Sequence, residues 1–147
     1  MDSIVYARGA IKYTDQPYVH STTLFTTGGG ATPTPMTLNF YVSDTQEVRL
    51  WSMNYAIASM PVNTAGDRPR STTVLPAQLW PIQEVNGSLF YSANGGVVDT
   101  AMVGQYTIST AGVITIYGGI LAATTFQNAV AHTIKRIDGN YQRVPPI

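Results

Sequence analysis

Cysteine is absent from this chain of 147 residues, and charged residues are scarce. Without a thiol the protein can form no disulfide, no thiolate zinc site and no iron–sulfur cluster, and it has no cysteine nucleophile. Asp, Glu, Lys and Arg make up 11% of the residues, against about a quarter in an ordinary soluble domain. The eight basic and eight acidic residues balance, so the composition does not indicate a surface that attracts nucleic acid or an anionic membrane.

Long apolar runs are missing as well. No run approaches the ~20 residues of a membrane helix, and the first residues lack the basic and apolar regions of a secretory signal. We therefore expect no membrane span and, because cysteine is absent, assembly in the cytosol or the nucleus.

The few charges are unevenly distributed along the chain. No Asp, Glu, Lys or Arg occurs between Gln16 and Ser43 or between Thr100 and Ile134. In these stretches apolar residues alternate with Thr, Ser, Gln and Gly, as in a half-buried β-strand, whose outward face normally carries the charges. Few charges and a net charge of zero favour association over a monomeric state. We therefore predict that much of the surface meets other protein subunits.

Segments of period two, bounded by Gly, Pro, Asn and Asp, recur along the whole chain, while helical periodicity is almost absent. The pattern predicts one all-β domain over residues 1–147, with short N- and C-terminal tails. About eight strands at this spacing favour a single jelly roll, in which two antiparallel sheets pack as a sandwich. The predicted strand segments are 4–13, 18–25, 36–42, 47–53, 79–85, 88–92, 105–110, 113–117, 120–126 and 129–137, and 55–60 either continues the strand at 47–53 past a bulge or begins a new one.

Two dipeptides predict hairpin turns. Asn86-Gly87 is favoured by type I′ turns because both central residues need positive φ, so we expect a turn there between two strands. Ala111-Gly112 is expected to form the turn of a second hairpin. One face of that hairpin is predicted to be shared by Tyr106, Ile108, Ile114 and Ile116.

No group of residues predicts catalysis or a cofactor. His20 and His132 lie in separate predicted strands, whereas a metal site normally needs three or more clustered ligands. The carboxylates lie mostly at turns without forming an acid–base pair, and there is no Gly-x-Ser-x-Gly nucleophile elbow. Gly28-Gly29-Gly30 is followed by a proline-rich segment, not by the helix or lysine of a phosphate-binding loop. We predict that the protein is not an enzyme and has no cofactor and no metal.

Partner contacts are predicted at two places that carry basic residues. The first is the polar loop around residues 66–70, which is expected to be exposed. The second lies near the C-terminus, where Arg8 and Lys12 would join it if the first and last strands are neighbours. Because the charges are few and partly neutralised, we expect protein contacts there and no direct nucleic-acid contact. The candidate contact residues are Gly66, Asp67, Arg68, Arg70, Lys135, Arg136 and Arg143.

The aromatic residues, among them Trp51, Trp80 and nine tyrosines, allow two interpretations. Exposed aromatic rings stack on sugars, so a carbohydrate-binding β-sandwich is one. Packing in the core or in a subunit interface, where aromatic side chains contribute large buried areas, is the favoured one.

The chain resembles the single jelly-roll penton and minor capsid proteins of large icosahedral double-stranded DNA viruses. The resemblance is carried by the length, by Thr-rich strands such as 105–110 and 113–117, by proline-bearing loops and by the scarcity of charge, over most of the chain and without a diagnostic motif. It implies a virion structural protein with two four-stranded sheets, assembled in the host cytoplasm or nucleus.

The resemblance also implies partners. They are copies of the chain itself, with a pentamer favoured and a trimer possible, and neighbouring capsid proteins, which the two tails are expected to anchor. The family offers no catalytic residues to carry over. The alternative is a binding module of another class, either a carbohydrate-binding jelly roll or a trimeric one similar to the C1q and tumour-necrosis-factor families.

Overall fold

β-Strands account for almost all of the regular structure. The computed structural model describes residues 13–14, 16–28, 34–93, 102–119, 124–128 and 130–143. Within them the chain forms eight strands and one 3-10 turn at Ala77–Leu79. The strands are β1 (Tyr18–Phe25), β2 (Thr34–Val42), β3 (Glu47–Ile57), β4 (Arg70–Ser71), β5 (Val85–Ala93), β6 (Met102–Ile108), β7 (Ile114–Tyr117) and β8 (His132–Gln142). The predicted all-β class is confirmed.

Hydrogen bonds link all eight strands into one antiparallel sheet, which closes into a barrel. The order around the barrel is β1-β2-β3-β8-β5-β6-β7-β4, and β4 pairs with β1. This order contains two Greek keys, β4-β1-β2-β3 and β8-β5-β6-β7, because in each the fourth strand returns to lie beside the first. Eight strands in two Greek keys are compatible with the predicted jelly-roll sandwich.

Alternate residues of the strands fill a single core inside the barrel. In β2, Met36, Leu38 and Phe40 are buried, while the residues between them remain half-exposed. The β6–β7 hairpin repeats the pattern, and it confirms that Tyr106, Ile108, Ile114 and Ile116 share one face, which is buried. Burying such a side chain fully stabilises the folded protein by about 1.5–3 kcal/mol relative to leaving it exposed. The burial of one face fixes which side chains of each strand point outward.

A bulge in β8 changes which of its residues point outward. Phe90 pairs with Arg136, but the next residue of β5, Tyr91, pairs with Ile134, so Lys135 is the extra residue. A bulge of this kind lets two adjacent side chains occupy the same face of a strand. Lys135 and Arg136 consequently both lie on the outside of the barrel, with Lys135 half-buried and Arg136 exposed.

The hairpin predicted at Asn86-Gly87 is wrong. β5 runs straight through the dipeptide, and Gly87 pairs with Tyr106 of β6. A Cβ atom built at Gly87 would overlap the ring of Tyr106, so glycine here makes room for an aromatic ring and does not form a turn. The turn predicted at Ala111-Gly112 is confirmed, because it joins β6 to β7 and Gly112 has a φ of 81°.

Other segment boundaries differ from the sequence pattern. β3 continues past residue 53 to Ile57, as predicted, whereas β8 extends five residues beyond the predicted end at 137 because 138–142 keep pairing with β3. Residues 80–84 and 124–126 form no strand, contrary to the prediction. The predicted strand at 4–13 lies outside the described residues up to residue 12, as do 120–123 and the end of the C-terminal tail.

Candidate protein-interaction surfaces

The outer faces of five strands carry no charged residue. β1, β2, β5, β6 and β7 contain no Asp, Glu, Lys or Arg, and the charges of the described strands lie on β3, β4 and β8. Hydroxyl side chains lie opposite one another on the outside, Ser21 with Thr37 and Thr107 with Thr115. Beside Ser21 on the same strand, Val19 is 53% exposed. Such a surface can contact another protein without stripping water from a charge.

The loop predicted to contact a partner is held against the barrel at Asp67. The carboxylate of Asp67 accepts hydrogen bonds from the backbone N–H groups of Gly28 at 2.8 Å and Thr27 at 2.9 Å, and Arg70 Nη1 lies 3.3 Å from its Oδ1. The two N–H groups, and to a lesser extent the arginine, hold the pKa of Asp67 below its usual value. Gly66 is exposed, so the open part of the loop precedes Asp67.

Arg68, in the same loop, points into the protein. It is 8% exposed, and its guanidinium donates hydrogen bonds to the carbonyl groups of Thr124 and, at 3.2 Å, of Ala65. The guanidinium carbon also lies 5.3 Å from the centre of the Tyr117 ring. A buried charge is tolerated only with partners of this kind, so Arg68 fastens the loop to the barrel. Partner contact by this loop stays a prediction.

The basic residues near the C-terminus do not form one cluster. Arg136 and Arg143 are seven residues apart along an extended chain, roughly 23 Å at the rise of a strand. Arg143 lies at one end of the barrel, where it donates hydrogen bonds to the Gln46 side chain at 2.8 Å and to the Gln78 carbonyl at 3.1 Å. The two N-terminal cations expected beside them lie outside the described residues. Partner contact by Lys135, Arg136 and Arg143 stays a prediction.

A row of large side chains crosses the outside of the barrel where four strands are in register. Met53 of β3 pairs with Arg136 of β8, Arg136 with Phe90 of β5, and Phe90 with Val103 of β6. Met53 is 51% exposed and Val103 is 47% exposed. The Arg136 guanidinium carbon lies 4.6 Å from the centre of the Phe90 ring, so a cation covers the aromatic part of an otherwise apolar row.

The same combination of arginine and aromatic ring occurs further along β3. Arg49 is exposed, and its guanidinium carbon lies 5.0 Å from the centre of the ring of Trp51, which points outward and is half-buried. Sequence reasoning missed this surface, because only the strand register brings its residues together. We call it the arginine–aromatic face and define it by Arg49, Trp51, Met53, Phe90, Val103 and Arg136.

Trp80, the other tryptophan considered for sugar stacking, has an internal role. Its Nε1 donates a hydrogen bond to the Leu75 carbonyl at 2.6 Å, and its ring packs against the core. A Cβ atom built at Gly112 would lie 2.5 Å from Nε1, so the β6–β7 turn packs tightly on this ring. Of the two tryptophans, Trp51 is therefore the one that points outward, and carbohydrate binding stays a prediction.

Both histidines are buried in the protein. His20 Nε2 donates to the Thr73 carbonyl at 3.1 Å and His132 Nδ1 to the Val130 carbonyl at 3.0 Å, since a carbonyl can only accept. Burial lowers the pKa of both side chains. His132 lines a cavity of about 420 Å³ together with Tyr91, and its Nε2 has no hydrogen-bond partner in the described part of the chain. Burial therefore favours the neutral form of both imidazoles.

Comparison with protein-family models and with curated proteins found no match for this chain. Within the described residues no helix is long and apolar enough to cross a membrane. In the same part of the chain, no three His, Asp or Glu side chains lie close enough together to hold a metal ion.

Proposed function

We propose that this protein is a non-enzymatic structural subunit that assembles with copies of itself through the uncharged outer faces of its strands. The single jelly-roll penton and minor capsid proteins that its sequence pattern resembles are subunits of this kind. In this proposal the protein is part of a virion, assembled in the host cytoplasm or nucleus. It forms a ring, a pentamer in preference to a trimer, and contacts neighbouring capsid proteins.

The observation that carries the proposal is the absence of charge from β1, β2, β5, β6 and β7. Burying an unpaired charge in an interface costs several kcal/mol, whereas hydroxyl and amide groups can form hydrogen bonds across it. A standard interface covers roughly 800 Å² of each partner. Two such contacts would cover about a fifth of the 7962 Å² of accessible surface of this chain. Five strands with uncharged outer faces suit a subunit that is surrounded by neighbours.

Sedimentation velocity over a range of concentrations tests the proposal. We expect a discrete closed oligomer at roughly micromolar concentration, the range of a moderate protein–protein affinity. Thr37→Lys on β2 and Thr107→Lys on β6 place a charge on the uncharged faces and should weaken association. Gln127→Lys, at an exposed position outside the strands, is the matched control and should associate as the unchanged protein does.

Two results would overturn the proposal. One is an unchanged protein that stays monomeric at the highest soluble concentration. The other is an oligomer that forms equally well when lysine stands at position 37 and at position 107, because its contacts would then lie elsewhere than on the uncharged faces.

A further inference from the structure

An acidic groove lies at the end of the barrel where β5 begins and β8 ends. The segment before β5 runs beside the end of β8 there, and the Ile82 N–H donates a hydrogen bond to the Gln142 carbonyl at 3.0 Å. The groove between them has a volume of about 290 Å³ and is lined by Ile82, Glu84, Asn86 and Gln142 among others. Ile82 is 56% exposed, so the groove presents an apolar side chain next to an exposed carboxylate.

The carboxylates at this end have no counterion in the described part of the chain. Neither Glu84 nor Asp44, which is exposed in the β2–β3 turn, forms an ion pair there. The turn lies close to the groove, because the Arg143 N–H donates a hydrogen bond to the Gln46 carbonyl at 3.0 Å. The guanidinium of Arg143 is itself occupied by Gln46 and Gln78. The carboxylates of Glu84 and Asp44 can therefore form ion pairs with a basic partner.

Arg49 and Arg136 give the arginine–aromatic face its positive charge, and Asp138, which pairs with Trp51, lies at a position between them. Arg136 Nε lies 3.7 Å from Asp138 Oδ2, with side chains 45% and 36% exposed, and an exposed pair of this kind is worth at most about 1 kcal/mol. Arg49 forms no ion pair within the described residues. Stacking on an aromatic ring leaves the N–H groups of a guanidinium free to bind a carboxylate. Arginine, aromatic and methionine side chains are also the types enriched in protein interfaces.

We infer that the acidic groove of one copy receives the arginine–aromatic face of the next copy. This inference rests on the proposed function, since it names the contact that builds the oligomer. Glu84 meets Arg136, and exposed Ile82 meets exposed Met53 and Val103, so charge and apolar area are complementary on the two sides. Two copies of the arginine–aromatic face placed against each other would instead bring like charges together, which disfavours a twofold contact centred on that face.

The position of the two surfaces determines what this head-to-tail contact builds. The groove adjoins the arginine–aromatic face, because Asn140 lines the groove and pairs with Arg49, so the two surfaces do not point in opposite directions. Each copy is therefore turned relative to the one before it. Repeating such a contact closes a ring when the rotation permits, as head-to-tail interfaces do. The uncharged outer faces of β5 and β6 take part in this contact through Phe90 and Val103, and those of β1, β2 and β7 are left for further contacts between copies of the chain, which Thr37→Lys tests.

Charge reversal on each side, alone and combined, tests the inference by sedimentation velocity. We expect Arg136→Glu and Glu84→Arg each to weaken association by about tenfold or more, because each places like charges in the contact. The double variant Arg136→Glu/Glu84→Arg restores the pair with its polarity exchanged and should recover most of the association. Gln127→Glu controls for added negative charge, and thermal unfolding of every variant checks that the fold is retained.

The outcomes separate this inference from the proposed function. An unchanged protein that assembles while both single reversals assemble equally well overturns the inference and leaves the proposed function standing. Single variants that fold and dissociate, with no recovery in the double variant, also overturn it, because the two residues then do not meet. A monomeric unchanged protein overturns both.

Discussion

Gly87 of β5 and Gly139 of β8 leave space for the side chain of Tyr106, and this arrangement allows a sharp test of the core packing. Tyr106 is 1% exposed, and its hydroxyl donates a hydrogen bond to the Asp138 carbonyl at 2.8 Å. Burial raises its pKa to about 12, so the hydroxyl stays protonated. A Cβ atom at Gly139 would overlap the hydroxyl oxygen, whereas the next atom, Cζ, lies 3.4 Å away, an ordinary contact. The hydroxyl alone therefore blocks a side chain at position 139.

The cost of Gly139→Ala should consequently depend on that one oxygen atom. In the unchanged protein we expect Gly139→Ala to lower the free energy of unfolding by about 2 kcal/mol. Overpacking costs about 1–3 kcal/mol and the displaced hydrogen bond about 1 kcal/mol, whereas replacing a glycine stabilises the protein by about 0.5–1 kcal/mol. Tyr106→Phe alone should cost about 1 kcal/mol through the lost hydrogen bond. In the Tyr106→Phe protein, Gly139→Ala should be neutral or slightly stabilising, because only the stabilisation from replacing a glycine remains.

Urea unfolding at one fixed protein concentration measures the free energy of unfolding of the unchanged protein, of the two single variants and of the double variant. The m-value checks that each unfolds in two states. Gly87→Ala is the matched control. A Cβ atom there would overlap ring carbons that phenylalanine retains, so Tyr106→Phe should not relieve its cost. Equal costs of Gly139→Ala in both backgrounds, within about 0.5 kcal/mol, would refute the reasoning, because independent sites add to that precision.

Arg68→Ala should lower the free energy of unfolding by about 2–3 kcal/mol because it removes buried, charge-assisted hydrogen bonds. Arg70→Ala, which removes a more exposed ion pair, should lower it by less than about 1 kcal/mol. Equal shifts of the thermal unfolding midpoint in the two variants would contradict this. Because burial lowers the pKa of His20 and His132, the unfolded chain binds more protons below about pH 6.5, so stability should fall between pH 7 and pH 5. The urea midpoint should show this fall, and replacing both histidines by glutamine should flatten it. A glycan array should give no reproducible binding, because a guanidinium already covers the ring of Trp51; a signal abolished by Trp51→Ala would favour the carbohydrate-binding alternative.

Local pattern was enough to predict the all-β class and much of the strand structure. Burial alternates with period two in the β6–β7 hairpin, and its turn requires a residue that tolerates positive φ, which Gly112 supplies. Both properties depend on residues close in sequence. For the same reason the uncharged outer faces could be anticipated from the charge-free runs, since alternation alone assigns their polar residues to the outside.

Only the tertiary structure decided what distant residues do to one another. Asn86-Gly87 is a favourable turn dipeptide in isolation, yet the ring of Tyr106 occupies the space beside Gly87 and keeps the segment in a strand. In the sequence Arg68 is expected at the surface, but in the structure its guanidinium is buried and donates a hydrogen bond to the distant Thr124 carbonyl. The arginine–aromatic face depends on the register of four strands, and register is set by burial of the whole core, so no local stretch of sequence could specify it.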